Sequence, residues 1–326
     1  METVITHQGN VQPAEETEQV GFDSPFIEAN TTKMELEEIN SNHLIPVFVK
    51  DNEPLISHGE FIERTVGIVH HAFEGEAVIE PNIRVSHPVK GRIPEAKGKP
   101  ADQLEEHEKT LYYQRMAFVI EIPSITQEIK GNTLSLTVGG VKAYNLDNLN
   151  RRKGAPEHFK IFIGFVNKVC TNLCIWTDGY SQTIQVDNAR DLEGKIYDLV
   201  TGFSYSSQSN RLARFQEHEL SEQQFAQLIG RARLYQYLPS AKKQQLPELQ
   251  LNDTQIATVA KEYYRNSDFG KASDGSINLW NMYNLFTEAN KSSYIDTFLN
   301  RSVNAYHFTS QVAHALEKES DFWFLN

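Results

Sequence analysis

The sequence predicts an α+β protein, with a mostly antiparallel sheet in its N-terminal and central parts and packed helices in its C-terminal part. Segments rich in β-branched and aromatic residues, separated by Gly, Pro and Asn turns, lie before about residue 187. After residue 190 the apolar residues recur instead at helical spacing. Strands that precede helices along a chain are typical of the α+β class.

The stretch 158–187 is the strongest strand signal, because it holds the longest nearly continuous apolar run. Asp178-Gly179 lies between two β-prone segments and predicts a hairpin of strands 159–176 and 181–187. The first segment is longer than the usual strand of about 3–10 residues. We therefore expect a bulge or bend between Asn167 and Asn172.

The first hundred residues contain three patterns. His43–Ser57 predicts two strands around a turn at residues 51–54. Ser57 and Glu60 form a capping box that opens a predicted helix at 58–73. Residues 79–100 are rich in Pro and Gly, which predicts a long basic loop.

The next segments predict a short helix at 102–113 and a strand at 115–122 that ends at Pro123. Residues 125–129 and 133–144 then predict a hairpin across Lys130-Gly131-Asn132, with apolar residues at every second position of the latter strand. Gly139-Gly140 indicates a bulge or a close backbone approach in that strand.

The C-terminal part carries several amphipathic helix patterns. Residues 191–203 predict one helix, residues 204–210 a polar linker, and the capping box Ser221–Gln224 opens another helix. Apolar residues at helical spacing mark three more helices. Their stripes are Ile256, Val259, Ala260 and Tyr263; Leu279, Met282, Tyr283 and Phe286; and Ala305, Phe308, Val312 and Leu316.

The net charge of −12 is unevenly distributed. Residues 1–40 contain nine acids and one base, a net −8, so the remaining 286 residues carry only −4. Global charge therefore neither supports nor excludes an anionic partner. We expect residues 1–30 to be a disordered acidic tail, 31–203 the β domain and 204–326 a helical region; a single domain 31–326 is the alternative.

Composition also bears on compartment and chemistry. Cys170 and Cys174 stand in an apolar segment without a CxxC or HxxxH partner, which favours two buried thiols over a disulfide or zinc site. The polar N-terminus and the lack of a long apolar run favour a cytoplasmic protein without a membrane partner. Oligomeric state stays open.

The common catalytic motifs are missing: there is no GxxxxGK[ST], GxGxxG after a strand, HExxH or GxSxG. A Cys170–His158 dyad is conceivable, but an apolar segment raises the thiol pKa and the two residues lie far apart along an extended chain. The non-enzymatic interpretation is preferred, and no cofactor is predicted.

Two sets of residues are candidates for binding. The first would contact a phosphate backbone with basic side chains and stack a base on an aromatic ring. Its members are Arg84, Lys90, Arg92, Arg151, Arg152, Lys153, Lys160, Lys168 and Trp176. A solvated loop is the alternative interpretation of the basic segment 84–99.

The second set consists of asparagines in segments otherwise built for burial: Asn172 in the long strand and Asn278, Asn281 and Asn284 on a late helix. Asn is a mediocre helix former, so its recurrence indicates hydrogen bonding, either to a ligand or within a buried network. The economical solution is a helix at 277–289 that crosses the sheet near residues 170–174, with Trp280 or Tyr283 against the strand.

Two motifs, VCTNLCIWTDG at 169–179 and INLWNMYNLFTEANKSSYIDTFLNRSVNAY at 277–306, resemble a Bacteroidetes family of unknown function carried on mobile elements. That family is similar to the broader phage/plasmid-like proteins. The resemblance covers about residues 42–308 and implies a setting on plasmids, phages or conjugative elements, without an assigned reaction or catalytic residues.

Two functions follow as hypotheses. The first is a nucleic-acid-associated protein that binds single-stranded DNA or strand ends, with a strand-annealing role as a guess from fold. The second is a protein-interaction factor, such as an anti-defence or plasmid-maintenance accessory, that binds a protein partner through the helical part and the acidic tail. A continuous basic groove beside Trp176 would favour the first.

Overall fold

The structure is a computed structural model that describes residues 25–47, 55–144, 156–204 and 210–326. Residues 1–24, most of the predicted linker 204–210 and the basic segment Arg151–Lys153 lie outside the described residues. The α+β prediction is confirmed: an antiparallel sheet comes first along the chain and helices follow.

Eight strands form the main sheet in the order β1-β3-β4-β5-β6-β7, with β2 beside β3 and β8 beside β6. Every pair in it is antiparallel. These strands are β1 (Thr32–Met34), β2 (Ile45–Pro46), β3 (Asn82–Arg92), β4 (Lys109–Ile129), β5 (Asn132–Ala143), β6 (Glu157–Asn167), β7 (Leu173–Cys174) and β8 (Tyr180–Val186). A separate two-stranded sheet pairs β9 (Glu219–Leu220) with β10 (Ile277–Asn278).

The helices of the described residues are α1 (Leu36–Asn42), α2 (His58–Ala72), α3 (Ala189–Gly202), α4 (Glu222–Gln236), α5 (Ser240–Lys243), α6 (Asp253–Arg265), α7 (Leu279–Asn290) and α8 (Ile295–Lys318). Both predicted N-terminal caps are confirmed. The Ser57 side chain accepts from the Glu60 amide, and Ser221 forms a reciprocal capping box with Gln224. Because a cap satisfies amides that have no partner within the helix, these residues fix where α2 and α4 begin.

The hairpin of β4 and β5 is confirmed, but its turn is one residue shorter than predicted because Asn132 already belongs to β5. Ile129 pairs with Asn132, and the turn residues Lys130 and Gly131 have φ of 50° and 73°, as a two-residue hairpin turn of the primed type requires. Pairing continues through Gly139 and Gly140, so there is no bulge at that position. The alternative prediction, a close approach, holds because the Phe162 and Phe61 rings lie where side chains would otherwise stand.

Two predictions for the N-terminal half are wrong. The segment 79–100 contains the 11-residue strand β3 instead of one long loop. Pro88 is tolerated there because β1 pairs with β3 only at 83–85 and β2 only at 91–92, so the outer edge at Pro88 needs no amide donor. Residues 102–113 are not a helix: two short 3-10 turns precede β4, which starts at Lys109.

Two strand predictions need smaller corrections. The strand predicted to end at Pro123 continues to Ile129, and a register shift between Ile122 and Thr126 accommodates the proline. Of the two strands predicted at 43–57, the described residues contain only β2, while 55–57 lead without strand structure into the cap of α2.

The central hairpin is confirmed in part. β8 pairs with β6 as predicted, but the long first strand ends at Asn167. The chain reverses through Lys168–Asn172, where Thr171 has a φ of 57°, and β7 then also pairs with β6. Gly179 does not have a positive φ; it is needed because any Cβ there would lie 2.1 Å from the Ile163 carbonyl oxygen.

Apolar side chains pack on both faces of the sheet. The larger core joins one face to α2, α3 and the C-terminal helices. The smaller core, on the other face, includes Phe298 and Leu299 of α8 together with Phe26 and Ile27. The predicted tail therefore extends too far: Phe26 and Ile27 are buried, and the Glu28 amide donates to the Lys291 carbonyl at 2.9 Å. The remaining division into domains stays a prediction.

We predict that Ile27→Ala lowers the free energy of unfolding by about 2–5 kcal/mol, because it removes a buried aliphatic side chain from the smaller core. Chemical denaturation would measure the change. Val169→Ala, at a half-exposed position, is the control and should change stability by less than about 0.5 kcal/mol. Equal effects of the two substitutions would contradict the docking of residues 26–27.

Candidate functional site

Asn284 of α7 is the centre of a buried hydrogen-bond network at the end of the sheet. Its side chain is 0% exposed. Its Oδ1 accepts from Asn167 Nδ2 at 3.1 Å, and its Nδ2 donates to the Trp280 carbonyl at 2.9 Å. Asn172 Nδ2 donates to the Asn284 carbonyl at 3.0 Å. We call Asn167, Asn172 and Asn284 the asparagine seam.

The first turn of α7 is attached to the β4–β5 turn. Trp280 Nε1 donates to Asn132 Oδ1 at 2.8 Å, and Lys130 Nζ donates to Asn281 Oδ1 at 3.2 Å. Asn278 has a different role, because it caps α7 by accepting from the Asn281 amide at 2.8 Å. The predicted crossing of this helix over the sheet near residues 170–174 is confirmed, and the amides bond protein groups there, except that Asn172 Oδ1 has no hydrogen-bond partner among the described residues.

The cysteines lie beside this crossing as free thiols. Cys174 is buried and Cys170 is half-buried. Burial raises the pKa of Cys170 to about 12 and raises the pKa of Cys174 above its usual range. His158 lies near the start of β6, nine residues or roughly 30 Å before the end of that strand, whereas Cys170 follows it. The Cys170–His158 dyad is therefore not formed.

Two candidate lysines bond protein groups. Lys160 is buried and donates to Asn300 Oδ1 at 2.9 Å and to the Asp296 carbonyl, and burial lowers its pKa. Lys168 donates to the buried carboxylate of Glu121. Each lysine amine therefore bonds another part of the protein. Neither lysine is a candidate phosphate contact in the folded chain.

The candidates on β3 differ from one another. Arg84 donates to the Thr31 hydroxyl at 3.0 Å and to the Thr31 carbonyl at 2.9 Å. Arg92 is buried and donates to the Lys99 carbonyl at 2.7 Å. Lys90 is exposed. The two arginines thus fasten neighbouring segments, while Lys90 faces solvent.

Trp176 is only 1% exposed. Its ring stacks with Phe165 at 6.0 Å and with Phe203 at 5.6 Å between ring centroids. A ring packed in this way belongs to the core and offers no face to a base. Among the described residues, the predicted basic positions and Trp176 therefore do not form the continuous groove that the sequence suggested.

A surface cleft along α8 brings together polar residues that are not among the binding candidates predicted from the sequence. Its volume is about 390 Å³. We call it the α8 cleft, and its polar lining consists of Arg211, Arg214, His307, Ser310, His314 and Glu317. Buried apolar parts of Phe215, Tyr306 and Ala313 complete its wall.

Two short elements build this cleft. His307, Ser310, His314 and Glu317 follow one another on α8 at spacings of three, four and three, which places them on one face of a helix. The opposite wall is a helical turn at 210–213 followed by a 3-10 turn, Arg214–Glu217, which positions both arginines.

The charges in the α8 cleft are exposed and weakly paired. Arg214 donates to Glu317 at 2.6 Å, and His218 lies 3.1 Å from the same carboxylate. Arg211 donates to Asp178 at 3.2 Å. Partial burial acts to raise the pKa of Glu317, but the bonds from His218 and Arg214 outweigh it, so this pKa lies below its usual value. Such exposed pairs contribute little to stability, because water and salt screen them.

Burial lowers the pKa of His307, although the nearby Asp178 carboxylate acts in the opposite direction. Its imidazole is therefore neutral at pH 7, with one N–H donor and one acceptor nitrogen.

The α8 cleft differs from two other surface pockets in the described part of the chain. Its lining carries two arginines and one glutamate, a net +1 without histidines. A pocket between α2 and α3 has Glu63, Arg64 and Glu193, a net −1. Another has Glu60 and Lys97, a net zero. Asp178 accepts from Arg211 and cancels that charge, so the α8 cleft differs from the other two in carrying two exposed arginines and not in its net charge.

The sequence contains one signal for this site, on the last helix. Along the last helix, polar residues recur on the flank opposite the apolar stripe, at helical spacing. The two arginines lie about 100 residues earlier, so only folding brings them to that flank. In the part of the chain that the structure describes, no group of three or more His, Cys, Asp or Glu residues could hold a metal.

The fold defines an α+β protein, and the α8 cleft places two exposed arginines on its surface. A profile described as "Domain of unknown function, B. Theta Gene description (DUF3871)" matches residues 9–325, and the chain belongs to this family. Neither the curated proteins nor the solved structures contain a match to the chain. No helix within the described ranges is long and apolar enough to cross a membrane.

We predict that Asn284→Ala lowers the free energy of unfolding by at least about 1–3 kcal/mol, because the buried amide of Asn167 loses its acceptor. Gln223→Ala, at an exposed position of α4, is the matched control and should stay within about 0.5 kcal/mol of the parent. Thermal and urea unfolding would measure both. An unchanged stability of Asn284→Ala would contradict a supporting role for the asparagine seam.

Proposed function

We propose that this protein is a non-catalytic binding protein that recognises single-stranded nucleic acid through the α8 cleft. The observation that supports the proposal is that the exposed guanidinium groups of Arg211 and Arg214 line one cleft together with the imidazole rings of His307 and His314. Guanidinium groups bind phosphate oxygens through paired N–H bonds, and imidazole rings can stack on bases.

Arg211 and Arg214 have further N–H donors that can bind such a ligand. Each guanidinium has five N–H donors, and Arg211 and Arg214 each direct one of them to a carboxylate. These pairs are exposed, with side chains of Arg211 and Asp178 more than half accessible. A phosphate can therefore replace or join the carboxylates at a small cost.

The other basic residues limit the length of nucleic acid that the protein can contact. Lys160, Lys168, Arg84 and Arg92 are bonded to protein groups, so they add no track for a long backbone. We infer a short contact that neutralises about two phosphate charges. Counterion release then gives a slope of about −1.4 for log affinity against log salt, at about 0.7 per neutralised phosphate of a single strand.

We predict that the protein binds a labelled single-stranded oligonucleotide with this shallow salt dependence. Arg214→Gln should weaken binding about 10- to 100-fold, because a hydrogen bond to a charged group is worth about 1.5–3 kcal/mol, and should reduce the salt slope. Arg265→Gln, an exposed arginine at the end of α6, is the matched control and should bind like the parent. Fluorescence anisotropy at several salt concentrations measures both quantities.

Two results would contradict the proposal. One is the absence of binding at low salt by a folded protein. The other is equal weakening by Arg214→Gln and Arg265→Gln, which would indicate nonspecific attraction instead of a site. Circular dichroism spectra of the variants establish that each is folded.

An association with mobile elements is part of this proposal and rests on the resemblance of the two sequence motifs to phage/plasmid-like proteins. Transfer of such elements exposes single strands and strand ends, which are the ligands proposed for the α8 cleft. Strand annealing is not included, because the described residues present no extended basic surface for two strands.

A second candidate, a protein-interaction factor such as an anti-defence or plasmid-maintenance accessory, is favoured by a separate observation. Leu234 and Tyr237 lie three residues apart near the end of α4 and are 61% and 78% exposed. Exposed large apolar side chains that lie together are typical of protein-binding surfaces. They belong to the helical part that this hypothesis selected.

For this second candidate we predict a partner that depends on both side chains. Affinity capture from the source cells with the parent chain should retain a protein that the double variant Leu234→Ser/Tyr237→Ser loses at least tenfold, because buried aromatic anchors dominate such interfaces. The control is Tyr264→Ser, an exposed tyrosine on α6. Identical captured proteins from the parent and the double variant would contradict it.

A further inference from the structure

Each arginine of the α8 cleft has a carboxylate neighbour. Asp178 accepts from Arg211, and Glu317 accepts from Arg214. A phosphate that binds here must displace these carboxylates or share the arginines with them, and a doubly charged phosphate competes better than a singly charged one because its attraction to the guanidinium groups is larger. A strand that ended in the cleft would present only one phosphate to both arginines.

The chemistry of the lining favours a phosphate with several free oxygens. A terminal phosphate monoester carries about −1.5 to −2 charges at pH 7 and three strong acceptor oxygens, whereas an internal diester has two free oxygens and one charge. Two guanidinium groups can each bind a pair of oxygens. The monoester therefore uses more of the donors that Arg211 and Arg214 offer.

The histidines supply further donors, and Ser310 does not. Ser310 Oγ donates its hydrogen to the Tyr306 carbonyl at 2.9 Å, so it can only accept from a ligand. His307 and His314 lie on either side of Ser310 along the same face of α8. A doubly charged ligand between the arginines and this face would accept from both imidazoles.

The volume of the cleft limits the ligand to a small group. Its volume of about 390 Å³ lies at the small end of ligand sites, which span about 300–1,000 Å³. Its apolar wall is formed by Phe215, Tyr306 and Ala313, all buried, so the arginines and not this wall supply the recognition.

We infer that the α8 cleft binds the terminal phosphate monoester of a nucleic-acid strand in preference to an internal phosphodiester. This inference rests on the proposed function and makes the protein an end-binding factor. Arg211 and Arg214 hold the phosphate, His307 and His314 donate to its outer oxygens, and the rest of the strand leaves the protein surface.

The test compares one single-stranded oligonucleotide in three forms: with a 5′-phosphate, with a 3′-phosphate and with hydroxyl groups at both ends. A fluorophore at an internal base reports binding by the full-length protein in each case. We expect at least one phosphorylated form to bind about 10- to 100-fold more tightly than the hydroxyl form. Arg211→Gln and Arg214→Gln should remove most of this preference, and Arg265→Gln should retain it.

A charge-preserving variant tests the assigned geometry. Arg214→Lys keeps the positive charge but cannot form paired bonds to two oxygens. We expect it to lose most of the preference for the phosphorylated end while retaining more total affinity than Arg214→Gln. Full preference in Arg214→Lys would overturn the paired recognition by that arginine.

The other outcomes separate this inference from the proposed function. Equal binding of all three forms that Arg214→Gln weakens would overturn end recognition and leave single-strand binding in place. No binding of any form would overturn both. If deoxythymidine monophosphate or a phosphoserine peptide competes as well as the phosphorylated oligonucleotide at equal concentration, the strand adds nothing, and a nucleic-acid end is the wrong ligand class.

Discussion

The attachment of α7 to the end of the sheet is the interaction on which the rest of the structure depends. Asn284 is buried and bonds Asn167 at the last residue of β6 and, through its carbonyl, Asn172 after the chain reversal. A buried carboxamide without partners costs about 1–3 kcal/mol per group, so this network tolerates only one seating of the helix. The helical part is thereby fixed against the β part.

The position of α7 on the sheet determines where a surface site can form. The helix α8 follows α7 after a short connection and contacts both cores, with Phe298 against the sheet and Phe308 in the helical part. Because α8 is long and anchored at both ends, its polar flank is held facing the turn that carries Arg211 and Arg214. Rigid elements that present charged groups to one volume are suited to recognising a ligand of fixed geometry.

The polar residues of the chain therefore divide into two classes. Asparagines and the predicted lysines, such as Lys160 and Lys168, join parts of the fold. Arginines and histidines of the α8 cleft are exposed, and their ion pairs contribute little to stability. The two motifs that carry the family resemblance therefore contribute to the fold. The arginines and histidines proposed to bind a ligand lie outside those motifs.

Local patterns determined much of the secondary structure from the sequence alone. Caps such as Ser57 and Ser221, the Lys130-Gly131 turn and the apolar stripes all act within a few residues, so their effect is readable in the sequence. The crossing of α7 was also predictable, because buried amides require partners. Proline-rich β3 was missed, since whether Pro88 is tolerated depends on which neighbours the strand has.

The tertiary structure alone decided which charges are available. Lys160 and Trp176 look like ligand contacts in the sequence, but distant parts of the chain bury them. Arg214 and His314 lie 100 residues apart and meet only when α8 packs beside the 3-10 turn. Burial and long-range pairing depend on the whole packed chain, so the sequence determined the elements and the asparagine crossing, and folding determined the cleft.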